Sequence, residues 1–197
     1  MASSSLSIPS LRRQTVAAVR LLLVLTLLLG VGYPAVVWAV GRVGLHDQAT
    51  GSLVHHDGRV VGSSLLGQNF SGAAWFHGRA SASSYAGNTS GGTNLPESDP
   101  QLWKAAAAMR KAAGSIGDRL PPDALTTSAS GLDPDISPAY AELQAPQIAA
   151  ARQLPVAQVR RLVAQHTTGR TLGYLGEPRV DVLELNLALQ DLSAGAR

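Results

Sequence analysis

Residues Leu21 to Gly41, LLLVLTLLLGVGYPAVVWAVG, hold 21 consecutive positions without a charge. At about 1.5 Å of rise per residue, a helix of that length reaches roughly 30 Å, the thickness of a bilayer's hydrocarbon core. Tyr33 and Trp38 lie toward the C-terminal end, where amphipathic rings favour the membrane interface. Pro34 falls inside the run; a membrane span tolerates such a residue better than a soluble helix does, and a kink is expected there. The run exceeds the roughly 7–15 apolar residues of a cleavable signal, which favours an uncleaved anchor. Val37-Trp38-Ala39 supplies small residues suited to cleavage, so removal of the segment is the alternative. Arg12-Arg13 suggests a twin-arginine signal, but Gln14, Thr15 and Val16 match it poorly.

Arg12, Arg13 and Arg20 precede the span, and Arg42 follows it closely. That asymmetry predicts a cytoplasmic N-terminal segment over 1–20, a transmembrane helix over 21–41 and an extracytoplasmic domain over 42–197. The same four arginines explain the high pI of about 9.7. Beyond Arg42, twelve basic residues face all thirteen acidic ones, so no basic face remains to track phosphates. Aromatic residues make up only 5% of the chain, and none are interleaved with basic ones, which also argues against nucleic-acid binding. The absence of cysteine excludes disulfides and thiolate metal sites. A domain of roughly 150 residues buries a sufficient core without them.

Within the outer domain, Ser52 to Phe70 reads as a β-hairpin. Leu53-Val54 and Val60-Val61 flank Asp57-Gly58, a pair suited to a type I′ turn because both central residues need positive φ. His55 and His56 are adjacent strand residues that point to opposite faces, so they do not readily chelate one metal. Ser71 to Pro100 is rich in Gly, Ser, Ala and Asn, with Trp75, Phe76 and Tyr85 as anchors; long loops of this kind are uncommon and often functional. A helix follows, with Ser98 as cap, Gln101 completing a capping box and Gly114 closing it. Leu120 to Pro138 reads as a second loop. Ser137-Pro138 starts another helix, expected to bend at Pro146 and continue through Arg152, and Pro155 opens the next. The end, RVDVLELNLALQDL, alternates through Val180 and Val182 and reads as a strand passing into a short helix near Asn186. No βαβ repeat appears, so the domain is expected to be α+β.

Two loops carry the candidate chemistry. Thr89-Ser90-Gly91-Gly92 resembles a phosphate cradle and faintly echoes the signature of ABC transporters, which makes Ser90, Gly91 and Gly92 candidates for contact with ATP. The P-loop pattern needs a lysine directly after its last glycine, and none occurs before Lys104. ATP is also scarce outside the cytoplasmic membrane. The competing reading is a turn in which Gly91-Gly92 supplies an unusual backbone. Asp133 and Asp135 are candidates for attracting a cation, although the remaining positions of an EF-hand are missing and Asp-Pro is a common turn opener. There is no Gly-x-Ser-x-Gly elbow and no His-Glu-x-x-His helix, and Glu142, Asp133 and His166 form no convincing triad. The residues alone describe a membrane-anchored extracytoplasmic interaction module with no catalytic machinery of its own.

Several motifs, taken in order, resemble the KdpC family, the C subunit of the bacterial Kdp potassium-transporting ATPase. They are Gly62-Ser63-Ser64-Leu65-Leu66-Gly67-Gln68-Asn69-Phe70, Trp75-Phe76-His77-Gly78-Arg79, the Ser90 to Leu95 run, and Thr127-Ser128-Ala129-Ser130-Gly131-Leu132-Asp133-Pro134. Ile136-Ser137-Pro138-Ala139, Leu175-Gly176-Glu177-Pro178-Arg179-Val180 and Val182-Leu183-Glu184-Leu185-Asn186 continue the series. The departures are Thr93 for a serine, Ala129 for a glycine, Asp135 for a histidine, and a missing arginine after Pro146. The resemblance implies an accessory subunit, anchored in the bacterial inner membrane, of a complex that takes up potassium. Its partners would be a channel-like A subunit and a P-type B subunit that hydrolyses ATP. It would be needed for assembly and would act as a catalytic chaperone raising ATP affinity. An outward domain cannot hold ATP bound at a cytoplasmic site, so the coherent route is coupling through the span. Gly30, Gly32 and Ala35 are then the candidates for packing against partner helices.

Overall fold

The computed structural model describes residues 8–113 and 118–195, which divide into two units at Gly51/Ser52. The first unit is helical. Helix α1 (Ile8–Leu27) leads into a π-helical stretch, Leu28–Gly32, then into α2 (Tyr33–Gly44) and the short α3 (His46–Ala49). The stretch from Leu11 to Gly44 is long and apolar enough to cross a membrane, and none of it is buried inside the molecule. Helix extends well before Leu21 because Val16-Ala17-Ala18-Val19 contains nothing that breaks it.

The π turn has a local cause. Pro34 has no N–H to give, and its ring crowds the carbonyl of Gly30 four residues back. Widening the preceding turn removes that conflict, and the Tyr33 N–H reaches back to the Leu28 carbonyl. The kink expected at Pro34 is therefore expressed as a wide turn just before it.

The second unit is mixed α and β, as the sequence predicts. Strands β1 (Leu53–His56) and β2 (Arg59–Ser63) form the expected antiparallel hairpin, with a register irregularity between Val54 and His55. Asp57 and Gly58 sit at φ of 50° and 74°, the positive values that a type I′ turn demands. Helix α4 spans Pro100–Ala112. Its cap is Asp99, not Ser98: the Asp99 carboxylate accepts the Gln101 N–H at 2.8 Å. Pro100 explains the shift, because proline is preferred at the first helical position and makes the residue before it the cap. Gly114, the expected stop, lies outside the described residues.

The second loop is less irregular than expected. It contains a helical turn, α5 (Pro122–Leu125), and a two-residue strand, β3 (Asp135–Ile136). Helix α6 (Pro138–Arg152) starts as predicted, with Ser137 Oγ accepting the Tyr140 N–H. The helix continues through Pro146 without interruption. Helix α7 (Val156–Gln165) follows, then β4 (Thr167–Thr168), β5 (Arg179–Asp181) and α8 (Val182–Gly195). Strands β3, β5 and β4, in that order, form an antiparallel sheet.

The terminal segment corrects the sequence reading. The helix begins at Val182, before Asn186, because Val182, Leu185, Asn186 and Leu189 form one buried helical face. The strand expected through Val180 is present as β5, but it ends at Asp181, so Val182 belongs to the helix.

The core joins Ile136, Ala141, Ala145, Ile148, Ala149, Val159, Val163, Val180, Leu185 and Leu189 around the fully buried Phe76. Phe76 belongs to the long loop and has no strand neighbour, so its backbone must be satisfied by side chains. Buried Asn186 accepts the Phe76 N–H through Oδ1 and donates through Nδ2 to the Phe76 carbonyl, both at 2.9 Å. Gln144 does the same for His77, accepting its N–H at 2.8 Å and donating to its carbonyl at 3.2 Å. Two amide side chains from α8 and α6 thus replace a missing strand.

Candidate functional site

The two loops singled out in the sequence pack against each other. The carbonyl of Ser130 receives the Gly91 N–H at 2.8 Å and the Ser90 hydroxyl at 3.1 Å. A Cβ placed on Gly92 would lie 2.9 Å from the Ala129 carbonyl oxygen, so glycine is required there for close backbone approach. Gly131, at φ of 70°, would put a Cβ 2.7 Å from the Gly91 carbonyl oxygen. A Cβ on Gly91, by contrast, meets nothing within 4 Å. The N–H of Gly91 is thus engaged with protein, and the inner side of Gly92 is filled by backbone.

Serine hydroxyls bind the second loop from beneath. Ser81 Oγ donates to the Gly131 carbonyl at 2.6 Å and accepts the Tyr85 N–H at 2.9 Å. Ser128 Oγ, buried, accepts the N–H groups of Gly131 at 3.1 Å and Asp133 at 3.3 Å. The Tyr85 hydroxyl donates to the Arg79 carbonyl, and burial beside the Asp133 carboxylate pushes its phenol up from the ordinary range.

Asp133 and Asp135 do not converge on a common point. Asp133 meets the Arg79 guanidinium at 2.9 Å, and its other oxygen accepts the Asp135 N–H at 3.1 Å, the pattern of an Asx turn. Asp135 meets Arg179 at 3.2 Å. Each candidate carboxylate therefore has its own arginine, which offsets its pull on a passing cation. Burial raises the Asp135 carboxyl above the usual range; Arg179 opposes that rise, while Asp133 and Glu184 add to it.

Asp181 stands opposite Asp135 in the β3–β5 ladder. Its carboxylate accepts the Glu184 N–H at 2.8 Å, capping α8. Burial pushes its pKa up to about 6, with Glu184 and Asp135 adding repulsion. Sequence reading passed over Asp181, Arg79 and Ser128 as site residues. Arg79 and Ser128 do lie in the quoted motifs; Ser128 finds its partners Gly131 and Asp133 within its own motif, whereas Asp133, the partner of Arg79, is 54 residues away in another.

His55 and His56 form no pair. His56 lies 3.6 Å from Asp57 and 3.5 Å from Asp191, which ties the hairpin turn to α8. A cavity of about 660 Å³ opens beneath α4, lined in part by Phe70, Trp75, Tyr85, Met109, Tyr140 and Gln144. In the first unit, Gly30, Gly32 and Ala35 are all exposed. A Cβ on Gly30 or Gly32 would meet only its own helix, Thr26 Cγ2 at 4.0 Å and the Leu27 carbonyl at 3.8 Å. Among the described residues, nothing else lies within 4 Å of a Cβ at either position.

A helix long and apolar enough to span a membrane, followed by an α+β unit whose two candidate loops are bonded to each other, defines a membrane-type protein with a mixed α/β domain. Residues 15–191 match the family described as KdpC: K+-transporting ATPase, c chain, and the chain belongs to that family. It is similar to the potassium-transporting ATPase KdpC subunits of three bacteria. Identity is 52% over 179 residues for Sorangium cellulosum, covering 87% of this chain and 94% of the relative. The subunit of Gemmatimonas aurantiaca is 49% identical over 176 residues, covering 86% and 88%. For Ralstonia nicotianae identity is 49% over 183 residues, covering 89% and 90%. Membership in this family connects the membrane-anchored interaction module that the residues alone describe with potassium transport.

Proposed function

We propose that this chain is a non-catalytic subunit of an ATP-driven potassium uptake complex, needed for assembly and serving to raise the ATP affinity of the P-type catalytic subunit. Its partners on this reading are that B subunit and a channel-like A subunit. The N-terminus is cytoplasmic and the α+β unit lies outside. ATP is held by the catalytic subunit, and this chain acts on it through the span.

The observation that carries this reading is the division of labour between the two units. The Thr89–Gly92 loop spends the Gly91 N–H and the Ser90 hydroxyl on Ser130, which leaves a poor cradle for phosphate. The span, in contrast, displays Gly30 and Gly32 within a π turn and Ala35 just after it, all three exposed in the first unit. Small residues let helix backbones approach closely in a bilayer. A helix contact that differs between two states of the catalytic subunit shifts their populations, and so shifts ATP affinity at a distance. A tenfold change needs only about 1.4 kcal/mol of such coupling.

The test compares ATP half-saturation of the purified catalytic subunit before and after this chain is added. Higher affinity with the chain supports the reading, and equal affinity contradicts it. The placement of the units is tested separately by Ser90→Cys, in a chain with no cysteine of its own. Labelling by a membrane-impermeant maleimide in intact spheroplasts puts the loop outside. Labelling only after lysis, with the thiol accessible in the purified complex, reverses the orientation and reopens ATP contact by Ser90, Gly91 and Gly92.

A further inference from the structure

The near-neutral charge beyond Arg42 predicts no basic face, yet α4 gathers a small one. Leu102, Ala106 and Met109 recur at helical spacing on its inner side, with Ala106 buried. Trp103, Lys104, Ala107, Arg110 and Lys111 share the outer side and are all exposed, Trp103 to 55%. Lys104 and Lys111 are the only lysines in the chain. None of the three cations forms an ion pair among the described residues. Arg59, Arg119 and Arg161 are also unpaired there, but each is the sole unpaired cation of its segment, with no exposed aromatic residue on the same element.

The helix dipole accounts for part of this pattern, since cations near a C-terminus are stabilising and Arg110 and Lys111 lie in the last turn. It does not account for Lys104, in the N-terminal half, or for an indole left in water. The Trp103 Nε1–H donates to the Glu97 carbonyl at 2.8 Å, so the ring is presented without an unpaired donor. Glu97 and Asp99 precede the helix and Asp118 follows it; the helix itself carries positive charge only. An exposed indole among cations suits a bilayer interface, where the ring sits at headgroup level and the cations meet lipid phosphates. One ring and the methyl groups of Ala107 and Ala108 fall far short of the about 800 Å² per partner that a stable protein interface buries. A bilayer asks for less, because the span already tethers the chain to it and the contact becomes intramolecular.

We infer that the outer face of α4 rests on an anionic bilayer surface, with Lys104, Arg110 and Lys111 on lipid phosphates and the Trp103 ring among the headgroups. This goes beyond the subunit reading and does not depend on it. It needs only that the first unit spans the membrane.

The test uses the full chain with Ala107→Cys carrying a spin label, in a sequence with no other cysteine. Collision with a neutral, water-soluble nickel chelate is measured in nanodiscs of phosphatidylcholine and in nanodiscs of phosphatidylglycerol. The expected collision rate is about threefold lower in phosphatidylglycerol, returning to the phosphatidylcholine value at high salt, where screening weakens the contact. Lys104→Gln, Arg110→Gln and Lys111→Gln together should abolish the difference. Thermal unfolding should match the parent chain, because none of the three has an ion pair to lose among the described residues. The salt arm makes the same test without those substitutions. Equal rates in the two lipids overturn the inference; if added partner subunits then lower both rates alike, the face belongs to a protein surface. A difference that survives high salt or the triple variant also overturns it, because the cations are then idle. Both leaflets of each nanodisc hold the same lipid, so the outcome does not depend on which side of the membrane the domain occupies. ATP half-saturation tests the subunit reading separately, so the two fail independently.

Discussion

Asp181 shows how one carboxylate can be both necessary and costly. It caps α8, and burial raises its pKa from 3.8 to about 6. A native pKa above the unfolded value means the folded state holds the proton more tightly. This group's contribution is therefore most favourable below about pH 3.8 and is lost as pH rises through about 6. The full shift corresponds to roughly 3 kcal/mol; partial exposure reduces that to about 1–2 kcal/mol. Asp181→Asn keeps a capping acceptor without the charge. It is expected to stabilise the chain by about 1 kcal/mol at pH 7 and to flatten the slope between pH 4 and 6, as read by denaturant titration at several pH values. Asn186 is the opposite case, a buried polar residue that is fully used. Asn186→Leu strands the Phe76 N–H and carbonyl in the core and should cost about 2–4 kcal/mol in the same titration. Neither role was legible in the sequence, because each depends on a partner backbone or a burial that only the fold creates.

The elements divide by whether their signals are local. The Asp57-Gly58 turn, the Ser137-Pro138 start and the opening of α7 at Pro155 were readable because adjacent residues determine them. The α8 boundary and the small α5 and β3 were not. A few alternating valines suit either period, and β3 exists only because β5 pairs with it. The paired loops lie between these cases: their glycines stood out in the sequence, but their mutual packing did not. That packing separates three substitutions. Gly92→Ala and Gly131→Ala, which drive a Cβ below 3 Å from backbone, should each destabilise by about 2 kcal/mol. Gly91→Ala enters open space and should change stability by less than about 0.5 kcal/mol. Thermal unfolding of the three variants checks this. A large loss at Gly91 would show that its backbone serves something other than the Ser130 contact.

At the scale of the whole molecule, the chain joins one apolar helix to a mixed α and β domain whose two candidate loops are bonded to each other. The span was the most legible feature, since an uninterrupted apolar run reports its environment without needing a partner in the sequence. What it packs against was not legible, because the sequence of one helix does not specify its neighbour. The central claim is that ATP affinity is set through this face. Gly32→Leu places bulk on it, and among the described residues a Cβ there meets nothing closer than the Leu27 carbonyl oxygen at 3.8 Å. The decisive measurement is ATP half-saturation of the intact complex carrying Gly32→Leu against wild type, with subunit content checked to be equal. The account predicts a rise of about tenfold, the equivalent of about 1.4 kcal/mol of lost coupling. Unchanged half-saturation in a fully assembled complex would contradict it.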